Sequence, residues 1–493
     1  MNPEPDSINT TRRGMLTSAA ALIGGGALLH PAHAQDPHAG HKLPAANADK
    51  KSATTTAAVS TGRTEVFAPP GINYKPVITP NGMTLPWKMV DGAKVFHLVA
   101  EPVSHEFIPA MNDHTSLVAE CWGYNGRIHG PTLEAVEGDM VRIYVTNRLD
   151  APTTVHWHGL LLPSGMDGVG GVSQKAIQPG ETFKYEFPLK QHGTFMYHSH
   201  HDEMTQMQLG MTGLFIIHPA VPEPNPPDRD YAIMLSEWLI EVGARRPDPN
   251  EMTDFNIFTM NGRAFPGTQP LLAQTGERVR VRLGNLSSMS HHTIHLHGHF
   301  LKVTDTDGGH IPEAGQWPET TVIMPTGSTR TFEVGPVYPG DWAMHCHMLH
   351  HVMNQMGHKF GNVIGINDTG LDKTIRQLVP GYMSMGTTGM GDMGDMGMKV
   401  PANSLPMIGG PGQYDYITMG GMFTIVKVRD SLPADGSDPG WFISPPGTVA
   451  SPASEADLQR DGINPKAATT APATAATRIV SAGRIKLGGC QMH

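Results

Sequence analysis

His345-Cys346-His347-Met348-Leu349-His350-His351, with a further methionine at Met356, is the stretch whose reading decides the fold. A β-strand sends successive side chains to opposite faces. If His345 to His347 is extended, the two imidazoles face one way and the Cys346 thiolate the other, so one segment touches two metal sites. Cys346 with His351, a second histidine and a weak axial Met356 is the ligand set of a blue, type 1, copper centre. Zinc accepts Cys and His as well, but a Cys/His/His site with a thioether in reserve reads as copper.

Outward from that stretch the chain repeats itself. Asn125-Gly126-Arg127 recurs as Asn261-Gly262-Arg263, and Gly138 to Val145 recurs as Gly276 to Leu283. Both members of the second pair alternate apolar and polar residues, as half-buried strands do. Thr154-Val155-His156-Trp157-His158-Gly159 returns as Thr293-Ile294-His295-Leu296-His297-Gly298. Gly180 to His200 matches Gly327 to His347 without a gap, which sets His198-Ser199-His200 over His345-Cys346-His347. Few helical stretches and many Gly/Pro turns make an all-β fold of two tandem β-sandwiches the expectation. The stiff run Pro219 to Pro227 separates them, placing domain 1 at 85–221 and domain 2 at 228–367. Against His292, Cys346, His351 and Met356 of the second copy, the first offers Thr153, Ser199, Met204 and Leu209, so one blue copper per chain is expected.

The flanks carry separate signals. Thr11-Arg12-Arg13-Gly14-Met15-Leu16, an apolar run to Leu29 and Ala32-His33-Ala34 read as a twin-arginine export signal over 1–34. The apolar run is too short and too rich in glycine to span a bilayer. A periplasmic or secreted protein without a membrane partner follows. Residues 35–84 form a leader, disordered to about 64, and a lead-in to the first domain. The extension 368–493 has no copy in the repeat. It sets Met383, Met385, Met390, Met393, Met396 and Met398 among glycines, either a store of soft Cu(I) ligands or a low-complexity loop. Tyr416 to Val428 reads as one or two strands docking on domain 2 or on a neighbour. A net charge of −10 argues against nucleic acid as a partner. Of the 3 cysteines only Cys346 has ligands for neighbours; Cys121 and Cys490 form one disulfide or stay free.

Four His-x-His pairs stand at equivalent places in the repeat: His156/His158, His198/His200, His295/His297 and His345/His347. A single histidine on a sheet face is usually structural. Eight convergent imidazoles repel one another when protonated and waste polar groups when buried, unless they hold metal. Eight such ligands suit three copper ions, and the Cys346 set adds a fourth. The pattern resembles the multicopper oxidases over roughly 85–367. That resemblance implies cupredoxin-like Greek-key domains, with His156 and His295 on type 2 copper. It puts His158, His198 and His347 on one type 3 ion and His200, His297 and His345 on the other, and His292, Cys346, His351 and Met356 on type 1. It also implies proton delivery by Asp167; an acid found after the second type 1 histidine in some members is here Val352.

The implied activity is one-electron oxidation of phenols, aromatic amines or Cu(I), coupled to four-electron reduction of dioxygen to water. Cys346 would be the path between centres, and axial Met356 implies a low-to-middling potential for the family. The short interval between His200 and His292 and the lack of a third repeat resemble small two-domain laccases. Those are homotrimers with the three-ion cluster between subunits. Two alternatives are a copper carrier without turnover, favoured by the methionine-rich tail, and a copper nitrite reductase. The second is opposed by Ser199 and by the four His-x-His pairs.

Overall fold

The computed structural model describes residues 63–110, 116–241, 244–354, 409–414 and 417–466, and the short strands Asn362–Ile364 and Met383–Met385. The first sandwich faces a five-stranded sheet against a four-stranded one. Ala93–Ile108 and Met140–Asn147 run parallel in the larger sheet. In Met140–Asn147 the alternation of sequence becomes an alternation of burial: Val141, Ile143 and Val145 point into the core while Arg142 and Tyr144 turn out. The smaller sheet is ordered Leu133–Val136, Thr212–His218, Gly193–His198, His156–His158. Trp157, Tyr197, Phe187 and Phe215 fill the space between the sheets.

The second sandwich repeats this plan with extra strands, a seven-stranded sheet against a five-stranded one. Arg229–Trp238 runs parallel to Val279–Asn285, as its counterparts do. The site-bearing sheet is ordered Leu271–Gln274, Phe423–Arg429, Gly340–Cys346, His292–Leu296, Thr321–Met324. In both domains the strand carrying the second His pair lies antiparallel to one that is itself parallel to an earlier short strand. The strand in that slot of the second domain is Phe423–Arg429, well past the boundary expected at 367. Gly340–Cys346 has unmet edge donors and acceptors that only such a partner satisfies. Among the described residues of Tyr416 to Val428 there is one strand, and it completes the sheet.

The two sandwiches pack through Met196, Leu214 and Ile216 of the first against Ala232, Met234 and Leu286 of the second. At Gly193 a Cβ would stand 2.2 Å from the Gly308 carbonyl oxygen, so only glycine allows this approach. Arg282, paired to Asp230 at 2.7 and 2.8 Å, also donates to Thr194 across the junction. The lead-in before residue 85 is stitched to both: Thr84 bridges to Thr132 and Ile78 to Tyr231, with Val77 fully buried. The signal region, residues 35–62 and the methionines 390–398 lie outside the described residues. Cys121 is buried in the core and has no disulfide partner among the described residues, and Cys490 lies outside them.

Candidate metal centres

Register builds the first centre. His156 stands directly across from His198, and His158 across from Met196. One nitrogen from each of His156, His158 and His198 lies within 4.8 Å of the other two, and the ring of His200 stands 5.5 Å from that of His156. The second domain repeats the pairing, with His295 across from His345. There the Nε2 atoms of His297 and His345 are 3.1 Å apart, and the ring of His347 is 5.5 Å from that of His295.

Backbone carbonyls choose the tautomers, and they choose alike in both copies. His156 Nδ1–H donates to the Asp167 carbonyl at 2.8 Å and His295 Nδ1–H to that of Thr320 at 2.6 Å. His198 donates to Ser199 and His345 to Cys346, each at 2.8 Å. In all four rings Nε2 is left without a proton, as a metal ligand must be. Burial holds His198 down to about 3 and pushes His158, His297 and His345 below the usual imidazole range, with neighbouring imidazoles adding to the effect. Among the described residues nothing joins the first quartet to the second.

Asp167 is set beneath His156 by the turn after Ser164–Met166, its carboxylate 3.3 Å from Nδ1. Gly168 makes that turn possible: a Cβ there would meet the Val155 carbonyl oxygen at 1.7 Å. Glu203, an acid the sequence reading passed over, lies 3.5 Å from His200 Nε2 and 3.7 Å from His198 Nδ1. Its position three residues after His200 was the available signal.

The second kind of centre is inside the other sandwich. Cys346 turns to the core face opposite His345. Its Sγ lies 3.5 Å from His351 Nδ1 and 3.9 Å from His292 Nδ1, and the two nitrogens are 3.1 Å apart. All three residues are buried. Burial holds His351 down to about 4 and His292 well below its usual range, and pushes the Cys346 thiol up. The result is two neutral imidazoles and a sulfur that ionises when a cation compensates it. Ser287 accepts from His292 Nε2–H at 2.7 Å, which leaves Nδ1 for metal, and Phe258 stacks on His351 at 4.1 Å. No sequence pattern marked Ser287 or Phe258. Met356 lies outside the described residues. A buried nitrogen, nitrogen and thiolate donor set fits copper, and the imidazole quartets fit it too.

In the first domain the matching hole holds no such set. Gln206 fills it: its Oε1 accepts from Thr153 Oγ1 at 2.7 Å and from Ser199 Oγ, and its Nε2 donates to the Pro152 carbonyl at 2.7 Å. Met204, expected opposite His351, points to solvent instead. The short helix Glu203–Gln208 shifts the gap-free correspondence by two residues.

Paired cupredoxin-like sandwiches with buried histidine and thiolate clusters define a metal-binding protein of the cupredoxin class. Sequence models described as multicopper oxidase match residues 110–221 and 241–364. These two matched regions belong to the multicopper oxidase family, and that family implies copper. Copper resistance protein A of Escherichia coli is 32% identical over 235 residues, 38% of this chain and 38% of that protein. Multicopper oxidase MmcO of Mycobacterium tuberculosis is 31% identical over 236 residues, 41% of this chain and 45% of its own length. The chain thus spans less than half the length of these relatives. The solved multicopper oxidase mgLAC shares the fold, with a TM-score of 0.50 at 24% identity over 71% of this chain and 91% of that one.

Proposed function

We propose that this protein oxidises small reductants, phenols, aromatic amines or Cu(I), one electron at a time and passes the electrons to dioxygen. The observation that carries the reading is a single strand end: Cys346 faces a buried His292/His351 pair while His345 and His347 join His295 and His297 in the outer quartet. Copper, when bound, supplies reversible one-electron chemistry at the first site and dioxygen reduction at the second. In this reading His292, Cys346 and His351 hold type 1 copper, His156 and His295 hold type 2, and the remaining six imidazoles hold the type 3 pair. That makes four ions per chain.

The chain's own residues do the rest. Cys346 and His345 are covalent neighbours, and the Cys346 carbonyl accepts from His345 Nδ1–H, so the thiolate and the outer ring are joined by bonds throughout. Asp167 and Glu203 stand where they can hold protons beside the first quartet. Four electrons and four protons convert one dioxygen to two waters. His297 and His347 are exposed, and nothing described in one chain covers them. A second copy offering its first-domain quartet completes the eight imidazoles, which supports a homotrimer with shared clusters. The twin-arginine segment supports export, and no described helix is long and apolar enough to cross a membrane.

The test is oxygen uptake by the copper-loaded protein given a phenol or Cu(I). Uptake at one dioxygen per four electrons is expected; copper binding with no uptake would return the protein to the carrier reading.

A further inference from the structure

The strand that closes the second sandwich enters beside the Cys346 site through Gly420-Gly421-Met422. Gly420 N–H donates to the Val352 carbonyl at 2.7 Å, and Met422 N–H to the His351 carbonyl at 2.9 Å. Cys346 N–H in turn donates to the Met422 carbonyl at 3.0 Å. One residue is therefore tied by its backbone to two of the three converging ligands. The glycines press it there: a Cβ on Gly421 would lie 2.4 Å from the His351 carbonyl oxygen, and one on Gly420 would lie 2.5 Å from Asn354 Nδ2.

The side-chain direction follows from register. Phe423 is the cross-strand partner of His345 and shares its outer face, the rings 6.3 Å apart. Met422, one residue earlier, turns to the opposite face, that of Cys346. It is fully buried, in the same apolar cluster as Cys346 and Met344. The first domain has the same arrangement without ligands: Ser199 N–H donates to the Met211 carbonyl and Met211 N–H to that of Gln206. Met422 thus corresponds to Met211, as His351 corresponds to Gln206. Other thioethers fit less well. Met324 is the cross-strand partner of His292 and has no backbone tie to Cys346 or His351 in the register, Met344 lies two residues deeper on the Cys346 strand, and Met419 packs with Phe265, Phe423 and Ile425 on the other face.

We propose that Met422, rather than Met356, supplies the axial thioether of the type 1 copper site. The assignment rests on reading His292, Cys346 and His351 as that site. A weak axial thioether donates electron density to the oxidised ion, so its loss raises the potential, while a harder amide oxygen in its place lowers it.

The test is the visible spectrum and the midpoint potential of the copper-loaded full chain with Met422→Leu, Met422→Gln and Met356→Leu. The expected result is a blue band in all three. The potential shifts up for Met422→Leu, down for Met422→Gln, and stays at the wild-type value for Met356→Leu. Opposite shifts from two substitutions at one position are not what a packing residue gives. A shifted potential in Met356→Leu with unshifted Met422 variants overturns the assignment, as does no shift in any of them. Should Met422→Leu fail to accumulate, the Gln variant and Met356→Leu still decide it. A wild-type protein with bound copper but no blue band overturns the type 1 reading itself, and the assignment with it.

Discussion

Two sandwiches of one plan carry the same hole at the same end, and three side chains decide what fills it. In the second it is lined by His292, Cys346 and His351, whose donor atoms converge on a point. In the first, Thr153, Ser199 and Gln206 stand in those places, and one amide oxygen takes both hydroxyl protons. A buried cavity lined by polar groups is stable only when each is satisfied. The fold therefore accepts either a cation or a well-placed amide, and the strands around it need not change.

Each change below is meant to break that contrast or to make it finer. The largest effect is expected from Cys346→Ser, which gives the second hole the first one's hydroxyl. The blue band should vanish, one copper per chain should be lost, and phenol oxidation should fall to background, all read by absorption and metal analysis. Ser287→Ala removes the acceptor that holds His292 Nε2–H. Copper affinity at this site should fall about 10–100-fold, the usual cost of losing such support, as measured by competition with a chelator. Gln206→Ala attacks the other hole. It takes away the nearest acceptor of two buried hydroxyls and leaves them only the longer contacts to the Thr154 and His201 carbonyls, at a cost of about 1–3 kcal/mol in all. The melting temperature of the first domain should fall while the blue band stays.

The smallest effect comes from acid. His105 and His129 are fully buried in the first domain, and burial holds each down to about 3. The unfolded chain takes up these protons near 6.5 and the folded one does not. Stability is therefore full above about 6.5 and declines as pH falls toward 3, by on the order of 1–2 kcal/mol per group at pH 5. Denaturant midpoints that stay flat from pH 7 to 5 would contradict this.

Much of the site was legible in the chain because strand periodicity is strict. The strand through His345 ends at Cys346, yet its alternation already sets Cys346 opposite His345, and the repeat extends the reading of facing imidazoles to the first domain. The carbonyl partners of the imidazoles were not legible, since any residue supplies a carbonyl and only the loop's path brings it near. The place of Gln206 was missed because a gap-free match ignores a short helix. The closing strand was half seen: Tyr416 to Val428 stood out as one or two strands, but the long stretch before it hid its bounds and which sheet it serves.

That late strand has a consequence for the order of synthesis. The first sandwich has every strand of its smaller sheet by His218. The second cannot seat Gly340–Cys346 between two neighbours until Arg429 has emerged, because Leu271–Gln274 waits for a partner more than a hundred residues downstream. Lengthening a connection adds little to its closure entropy, yet it postpones the moment of closure. A ribosome-bound chain stopped before residue 423 should therefore hold a protease-resistant first half and a second half still open to copper, thiol reagents and proteases alike.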